Sequence, residues 1–139
     1  MKIYKANKNG PIRYFLIFFF LLPLLSLLSA EETVNQRMLL FFLSSTPFGL
    51  LLWIYLDTYY QIQGGLLIYH SAFLGGKIEI AKIREIVKEK TMWVGIKPAL
   101  ATKGLIIKHN TFDEIYIAPE DNNEIVDDLL KINPGIKIT

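Results

Sequence analysis

The chain contains no cysteine. Disulfides and thiolate zinc sites are therefore excluded. Only two histidines are present, His70 and His109. A metal held by both would still need a third ligand, with Asp113 or Glu114 as candidates. Two half-exposed histidines at strand ends is the simpler reading. No phosphate loop occurs: Gly64-Gly65 and Gly75-Gly76 lack the following helix and lysine that cradle phosphate. Both pairs read instead as turns that need positive φ. No G-x-S-x-G nucleophile motif occurs either. These absences point away from an enzyme and from any metal or cofactor. Net charge is also scarce, +2 over 139 residues, which gives a nucleic acid nothing to be drawn to.

What is abundant is apolar. Hydrophobic residues make up 52% of the sequence and mean hydropathy is +0.33. They crowd into two runs ahead of Asp57. The first, Tyr14–Ala30, carries no charge and as a helix would reach about 26 Å, near the lower limit for crossing hydrocarbon. Pro23 inside it is tolerable in a membrane helix, where it usually produces a kink. The second, Met38–Leu56, is also free of charge. Small and hydroxyl residues at its middle could pack against the first run, but Ser44, Ser45 and Thr46 are expected to bond their own helix backbone. Trp53, Tyr55, Tyr59 and Tyr60 gather at its far end, as in an aromatic interface belt. The short link Glu31–Arg37 makes the two runs an antiparallel hairpin.

Charge sets the orientation. Met1–Arg13 carries Lys2, Lys5, Lys8 and Arg13 without an acid, a local charge of +4. The positive-inside rule places that end in the cytoplasm, and two crossings return the chain there. The start also resembles a cleaved signal peptide ending at Leu28-Ser29-Ala30, although Leu28 stands where a small residue is wanted. Both readings leave the C-terminal part cytosolic. The expected organisation is a basic segment with two transmembrane helices over residues 1–57, about 14–30 and 38–56, then a cytosolic domain over 58–139. The expected location is the inner (cytoplasmic) membrane, with both termini cytoplasmic.

Within the C-terminal part, Thr58–Ile62, Leu66–His70, Lys77–Ala81, Gly104–His109 and Glu114–Ala118 read as strands. Ser71–Lys77 reads as a turn. Ile83–Ile86 fits either a helix or a strand after a bulge. Lys88–Leu100 reads as a loop or irregular hairpin. Pro119-Glu120-Asp121 starts a helix whose stripe is Ile125, Val126, Leu129, Leu130 and Ile132, and Asn133-Pro134-Gly135 stops it. Asp121 and the pair Asp127-Asp128 fall on its predicted outer face as solubilising charges. The class is α+β, with antiparallel strands capped by a C-terminal helix.

Four patterns in that order carry a resemblance: Gly65–Tyr69 (GLLIY), Gly76–Ile83 (GKIEIAKI), Pro98-Ala99-Leu100 ahead of Leu105–Ile107, and Ile115–Pro119 (IYIAP) leading to the helix and Asn133-Pro134. Over residues 58–138 the chain resembles the YyaB-like family of small bacterial PH-like domains, which includes SunI-like bacteriocin-immunity proteins. The family pattern commonly has arginine then leucine where Lys103-Gly104-Leu105 stands, and serine where Ala118 stands. The resemblance implies a seven-stranded curved PH-like sheet or barrel capped by the helix. It also implies a non-enzymatic module anchored in the bilayer and binding a protein or peptide at the cytosolic face. Two alternatives stay open: an immunity or stress-protection protein acting in the bilayer, and a small membrane enzyme using His70 and His109.

A PH-like domain also invites a lipid-headgroup site, which needs clustered Lys and Arg. Lys82, Arg84, Lys88 and Lys90 are dense, but Glu85 and Glu89 are interspersed, as on a solvated edge. The more suggestive segment is Met92-Trp93-Val94, flanked by Lys88, Lys90 and Lys97. There Trp93 either dips into the membrane interface or grips a partner, or it folds back onto the core.

Overall fold

The computed structural model describes residues 1–29, 33–93, 95 and 97–139. A first strand, β1 (Lys2–Lys5), precedes two helices, α1 (Ile12–Leu27) and α2 (Val34–Asp57). Strands β2 (Tyr59–Gln63), β3 (Leu66–Ser71) and β4 (Leu74–Glu79) follow, then a 3-10 turn at Ile80–Lys82. The chain continues through β5 (Ile83–Lys88), β6 (Leu105–His109), β7 (Asp113–Ile117), the helix α3 (Asn122–Ile132) and β8 (Lys137–Ile138).

The strands form two four-stranded sheets, in the orders β1-β2-β3-β4 and β7-β6-β5-β8. Every neighbouring pair is antiparallel except β5 with β8. Within residues 58–138 the described strands number seven, β2–β8, as the resemblance implies; the correction is that β1 adds an eighth from outside that range and that the strands divide into two sheets, with no closed barrel among the described residues. Along one side the 3-10 turn hands the chain from β4 to β5. On the other, the bridge between Ala6 and Pro119 joins the sheets. It is flanked by the Asn7 amide donating to the Ala118 carbonyl and the Glu120 amide donating to the Lys5 carbonyl.

Tyr60, Leu67, Ile80, Ile86, Leu105, Ile107, Ile115 and Ile117 fill the space between the sheets. Helix α3 adds Ile125, Val126 and Leu129, all buried, so three members of its stripe face the sheets as expected; Ile132 is exposed. Asp121 caps the helix by accepting from the amides of Asn123 and Glu124. At the other end, the Asn133 side chain donates to the carbonyls of Ile80 and Ile83, fixing the helix to the corner between the sheets.

Three local expectations change. Gly64-Gly65 is a turn with positive φ, as anticipated, but Gly75-Gly76 lies inside β4 opposite His70 and Tyr69. The Tyr69 ring lies across this position, where a Cβ on Gly76 would overlap its hydroxyl. The turn falls instead at Ala72, with φ of 53°. Lys77–Ala81 is accordingly the end of β4 and the start of the 3-10 turn. The ambiguous stretch from Ile83 is strand, with an irregularity in register between Ile83 and Glu85. Asp128 is no outward solubilising charge: it accepts from Lys2 at 2.6 Å and from the Tyr4 hydroxyl, clamping β1 to α3.

The helices also depart from expectation. Among the described residues only α2 is long and apolar enough to cross a membrane. It begins four residues before the apolar run, behind a capping box between Thr33 and Gln36. Helix α1 has 16 residues, about 24 Å, because Pro11 sets its start and its last turn closes at Leu28. It is therefore shorter than the expected 14–30 span, and Ala30 lies outside the described residues. The two helices run antiparallel, with Phe15 near Leu51, Phe20 against Phe48 and Leu27 near Met38. Ser44, Ser45 and Thr46 bond the carbonyls of Leu40, Phe41 and Phe42, which keeps these hydroxyls satisfied within their own helix.

Candidate functional site

The end of the sandwich that meets the helices is built with no linker. Thr58 follows α2 directly. Its hydroxyl donates to the Ile54 carbonyl and shares a buried 2.8 Å hydrogen bond with Ser71 at the end of β3. Beside it, Asp57 meets His70 at 2.7 Å. The β3–β4 turn then brings exposed Phe73 against Trp53 of α2, ring centroids 6.4 Å apart. Lys8 lies over the ring of Tyr55 at 4.7 Å.

The segment between β5 and β6 reaches the same end, held by two buried tyrosines. Tyr60 on β2 donates its hydroxyl to the Pro98 carbonyl and accepts from the Ala118 amide. Tyr116 on β7 donates to the Ala101 carbonyl and accepts from the Gly104 amide. Burial pushes both phenols upward from their ordinary range, so both stay protonated donors. The strings PAL and IYIAP thus have a physical role: they supply the carbonyl and amide that one tyrosine ties together.

Those anchors set the candidate binding residues. Trp93 is 79% exposed, so it is not a core residue. Lys97 sits between two rings, its ammonium 5.6 Å from the Trp93 centroid and 5.7 Å from that of Tyr116. Lys88 goes elsewhere, donating to Asn123 of α3 at 2.6 Å. Lys90 is exposed and makes no ion pair among the described residues. Val94 lies outside the described residues. The structure therefore brings together Trp93 and Lys97 and separates Lys88 from them. It adds Arg13, Phe15, Leu51 and Thr102, which line adjoining clefts of about 200 and 570 Å³. Sequence reasoning missed these because the helices were read apart from the domain.

The histidines do not converge. His70 lies on β3 in one sheet and His109 on β6 in the other, opposite Asp113. Burial lowers the His109 pKa below its ordinary value, which keeps it neutral at physiological pH. Among the described residues no three metal-capable side chains come together.

Two four-stranded sheets packed around a core, with a C-terminal helix at their edge, are consistent with a PH-like β domain. Residues 58–133 match the model of the bacterial PH domain, and the chain belongs to that family. It is 21% identical over 140 residues to the uncharacterized protein YyaB of Bacillus subtilis (strain 168), covering 98% of this chain and 96% of that protein. The resemblance read from the four sequence patterns is thereby borne out. No solved structure matches.

Proposed function

We propose that the chain is a membrane-anchored, non-enzymatic module of the cytoplasmic membrane that presents its PH-like domain to a protein or peptide partner on the cytosolic side. The carrying observation is the outer surface of the hairpin. Phe18, Leu21 and Leu25 of α1 and Leu39, Phe42 and Leu43 of α2 are all half-exposed or more, with no charged neighbour in either run. No globular partner in the chain covers that surface, and lipid is the solvent that suits it. Helix α1 is short for a span, and local thinning with Arg13 reaching to the headgroups makes up the difference at modest cost. The basic N-terminal segment lies at the same end as the domain, which supports a cytosolic placement of both.

For a peptide partner the supporting feature is β4, which among the described residues pairs only with β3 and leaves one edge of its sheet open. A cytoplasm-only reporter fused after Thr139 should be active, and activity of a periplasm-only reporter there would refute the orientation. Photo-crosslinkers placed at Lys77 on β4 should give a discrete adduct in native membranes that Arg84 on β5 does not. The same pattern at both positions would remove β4 as the recognition edge.

A further inference from the structure

The two clefts between α1 and the β5–β6 segment both reach Pro11 and Thr102, so they adjoin as neighbouring parts of one open recess, Lys97 lining one part and Arg13 the other. Its floor is apolar, made by Ile12, Phe15 and Ile17 of α1 and Leu51 of α2. Its rim carries two cations, Arg13 and Lys97, and the neutral donors Asn9, Thr91 and Thr102. Among the described residues no aspartate or glutamate lines either part. Neither cation has a carboxylate partner among the described residues. Lys97 is held between two aromatic faces instead, which orients its ammonium without neutralising it.

An apolar floor beneath an acid-free cationic rim is complementary to an amphiphile with an anionic head. We infer that this recess binds one anionic phospholipid of the surrounding leaflet, with Arg13 and Lys97 on its phosphate and its glycerol and upper acyl chain along Phe15 and Leu51. Arginine offers planar paired donors to phosphate, and lysine a point charge, as such a site requires. Trp93, largely exposed at the mouth, lies where a headgroup region favours an indole. The site rests on the anchoring proposed above, since α1 and α2 must lie in the bilayer for lipid to reach it.

The test uses the full chain in lipid nanodiscs and two single-tryptophan variants. Trp53→Phe leaves Trp93 as the reporter, and Trp93→Phe leaves Trp53. Quenching is compared between brominated phosphatidylglycerol and brominated phosphatidylcholine at equal mole fraction. Trp93 should be quenched several-fold more by the brominated phosphatidylglycerol, and Trp53 about equally by both. Lys97→Gln and Arg13→Gln should each bring Trp93 to the phosphatidylcholine level. Lys97→Arg, and Lys137→Gln on distant β8, should keep the preference. Unchanged circular dichroism and melting would show that the variants fold; a variant that does not fold is replaced by Thr102→Val, which removes a rim donor and should lower the preference. Equal quenching of Trp93 by both lipids, with Trp53 still quenched, would overturn this site alone. Trp53 unquenched by either lipid would overturn the anchoring as well. Loss of the preference on adding inorganic phosphate would assign the site to free phosphate and overturn the lipid.

Discussion

Tyr60→Phe is the sharpest test of how the domain holds its functional end. The ring has no exposed surface, and its hydroxyl serves two backbone groups at once. The donor it satisfies is the Ala118 amide, and Ala118 is 1% exposed. The acceptor is the carbonyl of Pro98, which is itself fully buried. Phenylalanine keeps the packing and strands both groups where water does not reach them. A stranded buried donor or acceptor costs about 1–3 kcal/mol, so the loss should be about 2–4 kcal/mol once the removed hydroxyl's own desolvation is credited. That is a large share of the 5–15 kcal/mol typical of a domain. The assay is urea unfolding of the full chain in detergent micelles, followed by Trp93 emission in a Trp53→Phe background. Amide exchange at Ala118 should accelerate in step, because its partner is gone. Tyr116→Phe should behave similarly, since it strands Gly104 and Ala101. The two costs should not add, because both tyrosines brace the same segment. A loss below about 1 kcal/mol with Ala118 exchange unchanged would refute the reasoning, since each stranded group alone should exceed it.

Two further outcomes follow from the core and the clamp. Leu129→Ala removes a fully buried side chain from α3 and should cost about 2–4 kcal/mol in the same unfolding assay; an unchanged melt would mean α3 does not seal the sheets. Hydrogen bonds from Lys2 and Tyr4 hold the Asp128 carboxyl well below its usual range. A depressed folded-state value gives stability that is present above the unfolded value and lost as pH falls through the folded one. Protection of the β1 amides should therefore fall several-fold below about pH 4, and Asp128→Asn should show the low protection already at neutral pH and lose the dependence. Protection that ignores both acid and the substitution would rule out the clamp.

How much of this was legible depended on range. Helix α3 could be read because its stripe repeats within four residues and its stop signals are adjacent. The long strands could be read for the same local reason. β1 could not: KIYK alternates like a strand, but its four residues sit in a basic flank, and its partner lies across the whole hairpin. Gly75-Gly76 misled because a glycine pair signals a turn unless an aromatic ring crosses it, and only register reveals the ring of Tyr69. Trp93 and Lys97 lie together while Lys88 bonds Asn123 of α3, because nearness in sequence does not fix where side chains on either side of a loop point. The tyrosine anchors were invisible, since their partners stand 38 and 58 residues away from Tyr60. The charge of Asp128 was visible but its direction was not, because helical periodicity cannot tell an outer face from one that a distant strand covers.

The pairing of β1 with β2 also bears on how the protein is made. Lys2–Lys5 precede both helices in the chain, so the strand they pair with is synthesised only after both helices. Until then the N-terminal segment has no partner strand to join. Once Tyr59–Gln63 emerge, zippering the two strands ties the start and finish of the hairpin together at one end. Closure of so long a loop is slow to form compared with local contacts. A hairpin inserted the wrong way round would leave β1 and β2 on the far side with the rest of the sheet, whereas one with a single failed crossing would separate them across the bilayer. If both helices cross as proposed, completion of this edge would report that they have done so, and a half-inserted chain would display the bare flank of β2 to whatever quality control samples unpaired strands.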